Sequence, residues 1–532
     1  MTRTLFIGLD GATFTVLDRL VARQPDGTVV MPCLARLIEN GARANLRSTP
    51  VPMTPPAWMS LMTGRTPGHH GVYDFVRAEE RNDEVYFTLY DARDVRVETI
   101  WSIASRQDRR IVSLNFPITA PPRPVNGSLV PGFVSWRHLR RNVTPPELFD
   151  RLKAVPGFNA KELAWDFEKE PQSVVHLSPD EMEDWVRYHI AREVQWFRIA
   201  EKLLQEDRPD LMAVMFDGVD KIQHQAWPFL DPSLEHLDTS AFAKRMVGHC
   251  HDYFRHIDTY IERLIDLAGP HAQVFLASDH GFCAMTDVVR VNTVLHDLGY
   301  LKWHEKDDSE AGKRRELSWF ANLDWSQTLA YCRTPSSNGV TIRVARQPGD
   351  PGIPPEAYEA FRDKLIRQLK DLRNEATGGP AFHAVRKRED VFSGSAVPQA
   401  PDILFSEWDY GTASIRDGRP AVGKRPAPVG THHPDGIFIA SGPGINRGVM
   451  TDRQQIADVA ATLLYSLELP VPADFEGRVA EAFFDDGHMS LHPVQIGSPT
   501  LPIANGEVQN AEMTTADKEK ILEQLKMLGY ME

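Results

Sequence analysis

The chain has 532 residues, 42% hydrophobic and 25% charged, the balance of a globular protein and not of a disordered, collagenous or coiled-coil one. The 59 Lys and Arg against 73 Asp and Glu leave a net charge of −14, which disfavours nonspecific binding to nucleic acid or an anionic membrane. That length predicts several structural units sharing one or more large cores.

In chain order, Thr4–Leu9 reads as a strand that ends at Asp10, too short and too soon charged to be a signal-peptide core. Pro52-Met53-Thr54-Pro55-Pro56-Ala57-Trp58 opens a helical run to Thr63, closed by Gly64, with the prolines marking a helix start and Thr54 as its N-cap. Residues 111–116 read as a strand carrying Asn115 at its end, and 211–216 as a strand ending at Asp217. A helical pattern follows over 241–267, then a strand over 273–277 that leads into Ser278-Asp279-His280. Beyond a helical pattern at 355–372, His432-His433 precedes a strand at 436–441, and a last core helix is expected over 455–467.

Short apolar runs alternating with long helical periods predict an α/β fold, a mostly parallel central sheet sandwiched by helices. The expected organisation is a core with the nucleophile (1–135), a cap insertion (136–202), a core with metal ligands (203–300), a second cap insertion (301–426), completion of the core (427–495), then a linker and an amphipathic helix near 514–530 (496–532). Cys33, Cys250, Cys283 and Cys332 form no CxxC, so neither a thiolate metal site nor a disulfide framework is expected. No run of about 18 apolar residues predicts a membrane span. Cytoplasmic residence follows as the expectation, with no membrane and no nucleic acid polymer as partner.

Four places carry chemistry. Asp10, before Gly11, is either a turn or helix cap or a carboxylate facing a ligand. Thr54 is either a cap or a nucleophile at the positive end of a helix; Pro55 and Pro56 bring no N–H, so positive charge for a phosphate must come from elsewhere, and metal ions can supply it. Asp220 and His224 stand one helical turn apart and share a face, as a cation site or as an ordinary i,i+4 pair. Ser278-Asp279-His280-Gly281 and Gly430-Thr431-His432 add further ligands at the same sheet edge, where ligands of open α/β sheets gather. Three carboxylates, three imidazoles and one hydroxyl suffice for two divalent cations, with Zn2+ suited to the mixture and Mn2+ as competitor.

These segments, with Pro67-Gly68-His69-His70-Gly71, resemble in type and order the alkaline phosphatase superfamily, and within it the type I phosphodiesterase and nucleotide pyrophosphatase family. The resemblance implies one metal on Asp220, His224 and His432, a second on Asp10, Asp279 and His280, and Thr54 between them as nucleophile. His433 is the weaker alternative to His432, and His69 and His70 are expected to stabilise the turn after the helix. Where nucleotide pyrophosphatases carry an asparagine some twenty residues after the nucleophile, this chain has Asp74-Phe75, which argues against nucleotide specificity. Asn115 and Lys221 are candidate substitutes in holding the phosphate, with Phe75 taking the place of the polar donor. The sulfatase motif Cys-x-Pro-x-Arg is absent.

The implied activity is a two-metal hydrolase of phosphate esters, first of a small or medium organic phosphodiester, through a phosphothreonine that water cleaves. Alternatives are a phosphomonoesterase, a phosphomutase or phosphoryl transferase, and a noncatalytic scaffold. Trp136, Trp165, Trp185, Trp196, Trp303, Trp319 and Trp325 in the insertions are expected mostly in packing, with one or two stacking on the organic group.

Overall fold

The computed structural model describes residues 2–81, 84–163, 177–305, 307, 309 and 319–503. Trp165 and the helix expected over 514–530 lie outside them, as do the side chains of Trp136 and Trp319.

The strands that build the site are β1 (Thr4–Leu9), β2 (Gly41–Arg47), β3 (Ile111–Leu114), β4 (Gly127–Val130), β5 (Leu211–Phe216), β6 (Gln273–Ala277), β7 (Gly281–Val289), β8 (Val422–His433) and β9 (Asp435–Ser441). The main sheet runs β2-β9-β6-β1-β5-β3-β4, and two-residue segments at Val449–Met450 and Gln454–Gln455 pair with β2. Neighbours are parallel except at β9, which is antiparallel to both β2 and β6. The expected mostly parallel sheet is therefore present, with one reversed strand inside it.

Strand periodicity divides the core in two. Leu5, Ile7 and Leu9 of β1, Met212, Val214 and Phe216 of β5, and Val274 and Leu276 of β6 enter one apolar cluster. Their alternates Phe6, Leu211, Ala213, Met215, Phe275 and Ala277 enter another on the opposite face. All six residues of β1 are buried, as a strand covered on both sides requires.

Helices α1 (Thr54–Thr63), α2 (Pro179–Asp207), α3 (Gly218–Leu230), α4 (Ala241–Ala268) and α5 (Asp458–Ser466) cover these faces. On the first, α2 contributes Trp196, Ile199 and Leu203, and α4 contributes Ile257, Ile261 and Leu264. On the second, α1 contributes Trp58, Leu61 and Met62, and α5 contributes Val459 and Leu463. A Cβ on Gly8 would lie 2.5 Å from Trp58 Cη2, so the bare glycine of β1 is what lets this indole lie against the strand.

A smaller antiparallel sheet, in the order Ala330–Tyr331, Gly339–Ile342, Ile403–Glu407, Phe382–Lys387, has its own apolar cluster around Leu323, Tyr331, Leu365 and Phe405. The β7–β8 ribbon joins the two bodies: Val289 and Val422 pair at one end and belong to the small cluster, whereas Gly281 and His433 pair at the other.

Candidate active site

Asp10 follows β1, Asp220 lies in the first turn of the helix after β5, and Asp279 and His280 follow β6. Because β9 is reversed, its start is at that same carboxyl edge, and the end of β8 leads directly into it. Parallel order thus converts five distant segments into one cluster, as the pattern of strand ends predicts.

Thr54 is the first residue of α1, and Met53 occupies the cap position without a side-chain cap bond. This corrects the expected N-cap: a cap oxygen needs N–H groups in the first turn, and Pro55 and Pro56 remove two of them, while Ala57 N donates to Met53 O. The Thr54 hydroxyl is left for other work, 3.5 Å from His280 Nε2. Asp10 is not a cap either; the helix that follows it is capped by Thr13, whose hydroxyl accepts from Thr15 N.

His280 Nε2 lies 3.2 Å from Asp279 Oδ2 and 3.7 Å from Asp10 Oδ1. His432 Nε2 lies 3.2 Å from Asp220 Oδ1 and 3.1 Å from His224 Nε2, and His224 Nε2 is 3.5 Å from Asp220 Oδ1. Two groups with metal-ligating geometry result, Asp10 with Asp279 and His280, and Asp220 with His280 and His432. His280 belongs to both.

Strand register explains the choice between the two adjacent histidines. His432 pairs with Phe282 and His433 with Gly281, so alternation turns His432 toward the centre on the side of His280. His433 instead meets the Tyr410 ring, and its Nδ1 accepts from Asp435 N. At the centre, each imidazole is oriented by a carbonyl: His432 Nδ1–H donates to Pro52 O at 2.8 Å and His280 Nδ1–H to Gly281 O at 3.0 Å. A carbonyl only accepts, so in the neutral ring the lone pair is on Nε2.

The carboxylates are also held. Trp58 Nε1 donates to Asp10 Oδ2 at 3.3 Å and Gly11 N to Asp279 Oδ1 at 3.1 Å. Gln223 Nε2 donates to Gly11 O, and the Ser48 hydroxyl donates to Asp279 O. The opposite oxygens, Asp10 Oδ1, Asp220 Oδ1 and Asp279 Oδ2, are buried without a hydrogen-bond partner. Burial, with Asp279 and Asp220 nearby, pushes the Asp10 carboxyl well above its ordinary range, and burial pushes Asp279 up to about 8. Burial also pushes the imidazoles of His224 and His280 down. Orphaned carboxylate oxygens facing imidazole nitrogens are a donor set suited to divalent cations; one group holds the residues expected together, Asp10, Asp279 and His280, whereas the other holds His280 with Asp220 and His432 in place of the expected His224.

Trp58, Gln223 and Ser48 were not distinguished as site residues by sequence: Trp58 and Gln223 stand inside the motifs, but only the fold shows that they hold Asp10 and Gly11. The remaining candidates have other surroundings. Both Asn115 amide hydrogens are spent, one on Met215 O at 2.9 Å and one on Asp217 Oδ1 at 3.1 Å. Asn115 thus holds the approach to α3, a correction to the phosphate contact expected of it. Phe75 packs with Val51, Met53, Tyr73 and Phe392 in a separate apolar cluster. Asp74 accepts from the Thr334 and Ser336 hydroxyls and from Phe75 N, which ties the segment after α1 to the smaller sheet. Lys221 is buried on α3, its backbone carbonyl accepting from Trp185 Nε1. His70 braces α1 as expected: Val72 N donates to its Nδ1, so its Nε2–H faces Ser60 Oγ, which donates to Pro56 O.

The sequence profile of the family described as type I phosphodiesterase / nucleotide pyrophosphatase matches residues 4–435, most of the chain and every segment of this cluster. The chain belongs to that family. This phosphodiesterase-family protein is accordingly an enzyme of the phosphoric ester hydrolase class. Its fold is shared with phosphonoacetate hydrolase from Sinorhizobium meliloti 1021, crystallised with phosphonoformate, at TM-score 0.50 and 17% identity over 88% of this chain and 95% of that one. A murine ectonucleotide pyrophosphatase / phosphodiesterase 5 in complex with AMP aligns at TM-score 0.49 and 13% identity over 88% of this chain and 96% of that one. No curated protein sequence matches the chain. Among the described residues, no helix of the phosphodiesterase-family protein is long and apolar enough to cross a membrane.

Proposed function

We propose that the protein is a two-metal phosphodiesterase that cleaves a small or medium organic phosphodiester through a phosphothreonine on Thr54. The observation that carries this reading is the Thr54 hydroxyl, free of capping duty and 3.5 Å from His280 Nε2, the imidazole shared by both ligand groups. Asp220, His224 and His432 would hold one cation, and Asp10, Asp279 and His280 the other. Zn2+ suits this mixture of imidazole and carboxylate, with Mn2+ as the alternative.

Bound there, two divalent cations supply Lewis acidity, polarising phosphoryl oxygens and lowering the pKa of the attacking hydroxyl. Thr54 Oγ1 attacks phosphorus opposite the departing oxygen; the Thr54–phosphorus bond forms as the ester bond breaks, and water then cleaves the phosphothreonine. The protein fixes the geometry beforehand. Trp58 and Gly11 N orient two carboxylates, Pro52 O and Gly281 O orient two imidazoles, and the near-complete burial of Asp10, Thr54, Asp279 and His280 keeps bulk water away.

The test is turnover of an aryl phosphodiester and its matching monoester by metal-saturated protein. The expected result is a higher kcat/KM for the diester with release of the phosphorylated product. A ratio well below one makes the protein a phosphomonoesterase, and label passing to an acceptor hydroxyl makes it a transferase.

A further inference from the structure

Helix α3 carries Asp220 in its first turn and His224 one turn further on, so whatever fixes the start of the helix also fixes where these ligands stand. Asp217 takes the cap position, yet its side chain caps nothing. Both of its oxygens are committed elsewhere: Asn115 Nδ2 donates to Oδ1 at 3.1 Å and Arg192 Nη1 to Oδ2 at 3.0 Å. The first N–H of the helix, on Gly218, donates instead to Glu193 Oε1 at 2.6 Å, a carboxyl brought from α2. The Tyr253 hydroxyl of α4 donates to the same oxygen at 3.2 Å. Glu193 is therefore the cap of α3, supplied from another helix because the residue in the usual place is spent.

Gly218 permits that approach. A Cβ there would lie 2.5 Å from Glu193 Oε1 and 2.7 Å from the Tyr253 hydroxyl oxygen. α2 holds the same turn at two more points, Arg192 on Asp217 and Trp185 Nε1 donating to Lys221 O at 3.0 Å. Trp185, Arg192 and Glu193 are seven and eight residues apart, about two helical turns, so one face of α2 presents all three. Trp185 is accordingly a bracing residue and not the ring expected to stack on an organic group; Trp196 is also fully buried, and Trp325 packs edge-on against Tyr331.

The arrangement is costly by ordinary folding rules. Glu193 is 1% exposed, its Oε2 has no hydrogen-bond partner, and burial with Asp217 nearby pushes its carboxyl up to about 8. Near neutral pH the group is an uncharged acid that accepts from Gly218 N. Such local expense is concentrated where a protein needs one fixed geometry.

We propose that Glu193 is a positioning residue for the metal site that includes Asp220: by holding Gly218 N it fixes the first turn of α3, and with it the Asp220 carboxylate, for a divalent cation. The group of Asp10, Asp279 and His280 does not depend on it, since Trp58 and Gly11 N hold those carboxylates. The proposal rests on the two-metal reading above and adds the residue that sets one of the two sites.

The experiment is calorimetric titration of the metal-free protein with Zn2+. Wild type should take up two equivalents. Glu193→Leu is of similar size but offers no acceptor; one equivalent should stay close to wild type and the other bind about 10–100-fold more weakly. Glu193→Gln keeps an acceptor for Gly218 N and should bind both equivalents as wild type does. Gly218→Ala drives the carboxyl away from the helix start and should weaken the same single site, which keeps the test decisive if Glu193→Leu folds poorly. A structural role alone would weaken both sites together. Equal weakening of both equivalents, wild-type binding in Glu193→Leu or in Gly218→Ala, or loss of the second equivalent in Glu193→Gln overturns the proposal. Wild type that binds fewer than two equivalents removes the two-metal reading itself.

Discussion

His280 and His432 stack face to face, ring centroids 3.6 Å apart at 18°, with Asp279 beside one ring and Asp220 beside the other. Their sequence neighbours pair in the β7–β8 ribbon, so backbone register and not a local motif brings the two imidazoles together. The stack makes the two ligand groups adjoin and predicts that metals bind as a coupled pair.

Metal removal should be costly. Asp10, Asp220 and Asp279 share one buried space, and their repulsion is relieved only by protons or cations. Chelation should lower the melting temperature, and Zn2+ or Mn2+ at about 100 times its Kd should restore about 2.7 kcal/mol per site. Calorimetry with elemental analysis checks this; no bound metal and no thermal shift would falsify the two-metal reading.

Thr54→Ala should cost at least ~10³-fold in kcat with bound metal largely retained, because a covalent nucleophile is lost but the carboxylates and imidazoles remain. Asp279→Asn and His432→Ala should lose metal and activity together. Retention of a tenth of the rate by Thr54→Ala would leave Thr54 as a structural residue.

Asp74 gives a pH dependence of defined sign. Burial pushes its carboxyl from 3.8 up to about 6, against the opposing hydrogen bonds from Thr334, Ser336 and Phe75 N. The folded state therefore holds a proton that the unfolded chain has released, and the associated stability is full below the unfolded value and lost as pH rises through about 6. Relative to Asp74→Asn, which does not titrate, wild type should lose up to ~3 kcal/mol across that window. Urea unfolding of both proteins at several pH values measures the difference; parallel curves would exclude it.

Arg192 and Asp217 form a buried ion pair at 3.0 Å, each side chain 3% exposed. Arg192→Ala would strand the Asp217 charge just before α3 and should destabilise by about 3–5 kcal/mol. Replacing both by well-packed apolar residues should cost less than the single change, and a double-mutant cycle in denaturant decides it.

The clustering of Asp10, Asp279 and His280 was legible because these residues follow apolar runs, and parallel α/β order places such ends on one edge; Asp220 and His224 lie within the helix after a strand, and His432 comes just before β9. What local sequence cannot carry is tertiary choice. Asn115 has the donors of a phosphate contact, yet Met215 O and Asp217 Oδ1, a hundred residues away in the chain, take both. Phe75 and Asp74 were judged by their spacing from Thr54, whereas their surroundings are decided by residues from the smaller body, Phe392, Thr334 and Ser336. Thr54 itself looked like a cap by residue type, but Met53 takes that position, Pro55 and Pro56 bring no donors, and Ala57 N goes to Met53 O.

The central place of β1 has a consequence during biosynthesis. Its two hydrogen-bonding neighbours, β5 and β6, emerge from the ribosome some two hundred residues or more after it. At about 5–20 residues per second, the strand waits on the order of ten seconds or longer with both edges bare and an apolar sequence exposed. Nascent chains should accordingly engage holdase chaperones until residue 277 has cleared the exit tunnel, and ribosome-bound truncations ending before and after that point should differ sharply in protease resistance of residues 4–9.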